Sequence, residues 1–124
     1  MGRFIKSYNN QLEMCEFTVI LCEDGKEDQV AKDVIRTTYK DGELILIDVL
    51  GDAVSVGGAL IREVNVDSEV LKIHRHEILR NFLRFLEAYE KCKGGQGRSE
   101  ELVKTWENVK SIGDSMIEEF SKKK

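Results

Sequence analysis

Up to about residue 76 the apolar positions come in short runs cut by turn residues, and beyond it they recur every three or four residues. That change of period divides the chain. EFTVILC (16–22) ends at EDGK (23–26), where Gly25 is free to take φ > 0. QVAKDVIRTTY (29–39) ends at KDGE, and Asp41-Gly42 is a strong two-residue hairpin signal. LILIDVL (44–50) meets Gly51-Asp52, AVSV (53–56) meets Gly57-Gly58, and ALIREVNV (59–66) meets Asp67-Ser68 before EVLKIHRH (69–76). Five or six short strands joined by tight turns predict a small antiparallel barrel. Within ALIREVNV the apolar set changes face, which predicts a bulge or corner of the kind barrel closure needs.

The second half has a helical period. Ile78, Leu79, Phe82, Leu83, Phe85, Leu86 and Tyr89 form one broad apolar stripe, and the glycines of KGGQGRS (93–99) stop it. Ser99 is placed as an N-cap, with Glu100 and Glu101 in the first turn where the helix dipole favours anions. Leu102, Val103, Trp106, Val109, Ile112, Met116, Ile117 and Phe120 make a second stripe, closed by three lysines. The class is therefore α+β, a barrel (14–76) followed by an αα-hairpin (77–124), with residues 1–13 as an N-terminal extension. Helices of this length draw most of their stability from a packed apolar face, so both stripes must be covered. The first is wide for one partner. Either the barrel covers the remainder or a second copy does, as a homodimer.

The 124 residues suffice for one ordinary core and no more. No run of about 18 apolar residues exists to span a membrane, and MGRFIKSYNNQLE lacks the apolar stretch of a signal peptide. A reducing cytoplasm is the expected compartment, where Cys15, Cys22 and Cys92 are free thiols. Charge is uneven: residues 14–76 hold 7 Lys and Arg against 13 Asp and Glu, while residues 77–124 hold 10 against 9. An acidic barrel whose only aromatics are Phe17 and Tyr39 is a poor surface for phosphates or stacked bases.

The order of motifs in the first half resembles a known family. Met14-Cys15 with Val19, Asp33-Val34, GELILIDVLGD (42–52), the spaced pattern from Val56 to Asn65 and LKI (71–73) together resemble the CooT family of small nickel-binding proteins. The resemblance spans about residues 14–73 and none of the hairpin. It implies an SH3-like or Sm-like barrel in a non-enzymatic protein that binds nickel, as a homodimer, and delivers it to a metalloenzyme client. Family members have also been grouped as predicted RNA-binding proteins on the strength of their fold. The founding member uses the cysteine that follows its initiator methionine, which carried over is Cys15. Thiolate and main-chain nitrogens at such a terminus suit square-planar Ni(II). Here Cys15 is internal, so either translation starts at Met14 or the site is rebuilt behind an extension.

His74 and His76, two apart in HRH, share a face if the strand continues and are the next candidate ligands, with Cys15 across a dimer. Cys22 ends its strand as core or turn filler, and an uninterrupted strand would put it on the face opposite Cys15. Signatures of catalysis are missing: VGGAL (56–60) lacks the lysine and helix of a phosphate loop, and Asp48 and Asp52 beside Gly51 are expected to cap backbone. The chain is accordingly expected not to be an enzyme. The alternative is a module for RNA or protein built on the hairpin, with Arg75, Arg80, Arg84, Lys91, Lys93 and Arg98 as its basic surface.

Overall fold

The computed structural model describes residues 5–6, 12–13 and 16–121. Two short strands, β1 (Ile5–Lys6) and β2 (Leu12–Glu13), pair antiparallel. A six-stranded sheet follows, from β3 (Phe17–Glu23), β4 (Lys26–Lys40), β5 (Glu43–Asp48), β6 (Ala53–Gly57), β7 (Ala59–Asn65) and β8 (Val70–Arg75). Two helices, α1 (Glu77–Lys93) and α2 (Ser99–Ser121), complete the α+β architecture.

The β3–β4 and β4–β5 hairpins turn where Asp-Gly occurs. Asp24 and Gly25 have φ of 53° and 77°, and Asp41 and Gly42 have 54° and 77°, the two positive values a tight hairpin turn requires. The sheet order is β6-β5-β4-β3-β8-β7, so β6 and β7 are its two edges. Yet only Gly58 separates them in the chain. In a flat sheet those edges would lie roughly 24 Å apart, a gap no single residue bridges, so the sheet must curl into a half-barrel. Gly58, at φ 65°, makes the corner: its N–H donates to the Gly42 carbonyl (3.0 Å) and its carbonyl accepts from the His76 N–H (2.9 Å).

One pairing departs from the all-antiparallel expectation. β3 and β8 run parallel, with Val19 beside Leu71 and Leu21 beside Ile73. The bulge expected in ALIREVNV is present, as a register shift between Ile61 and Glu63. Alternate residues of each strand build the core: Val19, Leu21, Val34, Leu44, Leu46, Val56, Ala59, Leu71 and Ile73 are buried, with Phe17, Val30, Ala31 and Ile61 packed against them. Cys22 is not among them. It has the opposite parity to Val19 and Leu21, and its half-buried thiol lies 3.8 Å from Glu27 Oε2 on the outer face.

Ser99 is the first helical residue of α2 rather than its cap, and the Arg98 carbonyl takes the N–H groups of Glu101 and Leu102. At the end of α1, Gly94 and Gly95 N–H groups return to the Glu90 and Cys92 carbonyls. The helices pack through Ala88, Thr105 and Val109, and the rings of Phe85 and Trp106 sit 5.3 Å apart. Among the described residues no helix is long and apolar enough to cross a membrane.

Candidate metal centre

His74 lies in β8 with the parity opposite to buried Leu71 and Ile73, so its half-buried ring is on the outer face, across from Leu60 of β7. β8 stops at Arg75, but His76 keeps extended backbone (φ −142°, ψ 129°) as the residue preceding α1. Its side chain makes no capping bond to the helix, and the residue lines an apolar groove that also contains Leu60. Both histidines thus neighbour Leu60, His74 across the β-ladder and His76 along the groove. Cys15 lies outside the described residues, as does Met14.

A nickel ion needs several deprotonated thiolate or imidazole donors converging on one point. Among the described residues no three His, Cys, Asp or Glu side chains converge in that way. The described part of one chain thus brings no more than two such side chains together at any point. Cys22 is on the outer face near Glu27, and Cys92 is half-buried beneath Gly97, where a Cβ would come within 3.0 Å of its Sγ.

The basic residues have partners of their own. Arg75 meets Glu23 through two nitrogens, at 2.8 and 3.3 Å, across the β8 and β3 ends. The Arg75 hydrogen bond, with its charge, holds the Glu23 carboxyl below the ordinary 4.5. Arg80 reaches Glu43 at 3.6 Å and Glu77 at 3.8 Å. Its buried Nε makes no hydrogen bond, so the contact with Glu43 is Coulombic only. Arg84 Nε donates to the Asp41 carbonyl (3.3 Å), while Glu87 accepts the Asp41 N–H (2.9 Å). These ties fasten α1 to the β4–β5 turn. Lys93 lies 5.6 Å over the Tyr89 ring, and Lys91 and Arg98 flank the interhelical loop. Three of the six basic positions, Arg75, Arg80 and Arg84, are therefore engaged with carboxylates.

Asp48 caps backbone as expected: its Oδ1 accepts the N–H groups of Leu50 and Asp52, both at 2.9 Å. Tyr39 donates from its hydroxyl to the Ala59 carbonyl (2.6 Å), and burial pushes its phenol up. The feature that sequence reasoning did not locate is the groove beside His76. About 380 Å³ in volume, it is walled by Leu60, Ile78, Phe82, Val109 and Met116. The wide apolar stripe of α1 was its only signal, because the contribution from β7 depends on tertiary placement.

Residues 14–74 match the sequence profile of CooT, described as a CO dehydrogenase accessory protein. The barrel segment belongs to the CooT family. The family match begins at Met14-Cys15 and stops three residues before α1, so the hairpin lies beyond the CooT segment. A crystal structure assigned as CooT from Carboxydothermus hydrogenoformans is similar, at 18% identity and a TM-score of 0.47, over 50% of this chain and 98% of that one. No curated protein matches the chain. CooT is described as an accessory protein rather than as an enzyme.

Proposed function

We propose that this chain is a non-enzymatic accessory protein that holds nickel as cargo through the Cys15 thiolate and passes it to a larger nickel enzyme. The observation that carries the reading is the start of the family match at Met14-Cys15, the position onto which the resemblance carries the founding member's cysteine. The enzyme in the family description, CO dehydrogenase, indicates the class of client. A thiolate is the natural donor for a borderline-soft ion, and its binding releases a proton, so uptake weakens as pH falls. Since one chain's described residues do not complete a ligand set, further donors come from main-chain nitrogen beside Cys15, from His74 or His76, or from a second copy.

A nickel titration of residues 1–124, residues 14–124 and Cys15→Ser, followed by absorption and calorimetry, tests this. Stoichiometric binding with thiolate-to-nickel charge transfer, lost in Cys15→Ser, is the expected result. Binding by residues 14–124 alone would make Met14 the functional start, and binding by both would mean a site rebuilt around an internal cysteine. Absence of binding in both chains would sink the proposal. A second reading, a protein-binding module built on the hairpin, is favoured by the uncovered apolar surface of α1 and α2.

A further inference from the structure

The parallel register of β3 and β8 places two metal-ligating side chains abreast. Leu21 lies beside Ile73, and two residues further along both strands the Arg75 guanidinium meets the Glu23 carboxylate at 2.8 Å. The residues between these two pairs, Cys22 and His74, are therefore neighbours on adjacent strands. Both have the parity opposite to buried Leu21 and Ile73, so both belong to the outer face, where residues abreast stand roughly 5 Å apart. The row continues on either side, for Glu27 of β4 is the register partner of Cys22 and Leu60 of β7 is that of His74. Thiol and imidazole are each half-buried. The thiol donates to Glu27 Oε2 at 3.8 Å, and the same oxygen faces Lys72 Nζ at 3.6 Å. The His74 ring makes no hydrogen bond among the described residues, which leaves its nitrogen lone pair available as a donor.

We propose that Cys22 and His74 form a metal site of their own, separate from Cys15 and selective for the soft monovalent ion Cu(I). The choice of ion follows from the donors. Thiolate sulfur is the ligand Cu(I) prefers, imidazole suits copper as well, and a filled-shell monovalent ion is satisfied by two donors in a near-linear arrangement. Zinc and nickel ask for a larger set, and no third His, Cys, Asp or Glu completes one with this pair among the described residues. Charge balances too. Loading releases the thiol proton, which Glu27 is placed to accept, and thiolate, Cu(I) and neutral imidazole together carry no net charge. A neutral product suits a half-buried place better than a divalent complex would. Leu60 gives the site an apolar flank beyond His74, while the Lys72–Glu27 and Arg75–Glu23 pairs border it toward β4 and the strand ends. The pairing commits His74 to Cys22 and leaves His76 as the imidazole available to Cys15.

An anaerobic Cu(I) titration against a coloured chelator, bathocuproine disulfonate, tests the proposal. It uses the full chain carrying Cys15→Ser and Cys92→Ser, in which Cys22 is the sole cysteine. A single copper per chain is expected, with thiolate-to-copper absorption in the ultraviolet. Adding Cys22→Ser should abolish it, and adding His74→Ala should weaken it about tenfold or more, while His76→Ala leaves it unchanged. Both positions are on the outer face, so far-UV circular dichroism should not change in any variant. A chain that surrenders all its copper to the chelator, or one whose affinity His74→Ala leaves intact, would overturn the proposal. Nickel uptake is read in the chain that keeps Cys15, so the two sites fail or stand independently.

Discussion

The barrel and the hairpin both carry large apolar residues, and they differ in where they put them. In the barrel, Val19, Leu44 and Ile73 are fully enclosed, and alternate residues of six strands feed one core. Among the described residues of the hairpin only Ala88, Thr105 and Val109 are buried, while Phe82, Trp106 and Ile117 face water. A curled sheet has an inside of its own, whereas two helices have only a seam. The hairpin therefore depends on something outside itself to exclude water from its stripes. Its attachment to the barrel has a corresponding character. Arg80, Arg84 and Glu87 fasten it to Glu43 and Asp41 through polar contacts that fix its position without covering its apolar face.

Substitutions sharpen this contrast, beginning where the effect is largest. Leu44→Ala or Ile73→Ala should cost about 2–5 kcal/mol in urea unfolding, since each removes a fully buried side chain. A loss below about 1 kcal/mol would mean that the half-barrel is loosely packed. Gly58→Ala is next, at roughly 1–3 kcal/mol, because the corner needs a positive φ and a Cβ there would collide with the His76 carbonyl. The same substitution at Gly57 should be milder, because there the new Cβ meets the end of the flexible Arg80 side chain.

Asp48→Ala should cost about 1 kcal/mol by freeing two turn N–H groups, measured by thermal melting. Val103→Glu, at an exposed position, should change the stability of the dilute protein by less than about 0.5 kcal/mol. If it instead unfolded the dilute protein, the hairpin would have an inside after all, and the comparison would fail. The smallest effect concerns Glu23. Its carboxyl is held below 4.5 by the hydrogen bond and charge of Arg75, so the stabilisation is present above that value and fades as pH falls through the lowered one. Glu23→Gln should accordingly flatten the acid-side decline in melting temperature. The difference should shrink in high salt, because the pair is exposed.

Much of the fold was legible because its signals are local. Asp24-Gly25 and Asp41-Gly42 announce their turns by the φ values they permit, and the change of face in ALIREVNV announces the bulge after Ile61. The parallel union of β3 with β8 was not legible, since which strands become neighbours is decided by how the sheet curls. Of the two readings of Cys22, core or turn filler, strand parity excludes the core and leaves the thiol near the β3–β4 turn, opposite Glu27. The candidate site divides along the same line. Capping by Asp48 could be inferred from its neighbours Gly51 and Asp52, but the meeting of Leu60 with Phe82 and Met116 joins strand and helices far apart in the chain.

The parallel pairing of β3 with β8 also orders events during synthesis. Residues 17–23 leave the ribosome early, yet one side of that strand has no partner until residues 70–75 have followed. The helices behave in the reverse way, for their contacts are local and close as soon as α2 is made. Until the last barrel strand arrives, the nascent chain carries an open strand edge, and protection of that edge must come from fast completion or from a chaperone.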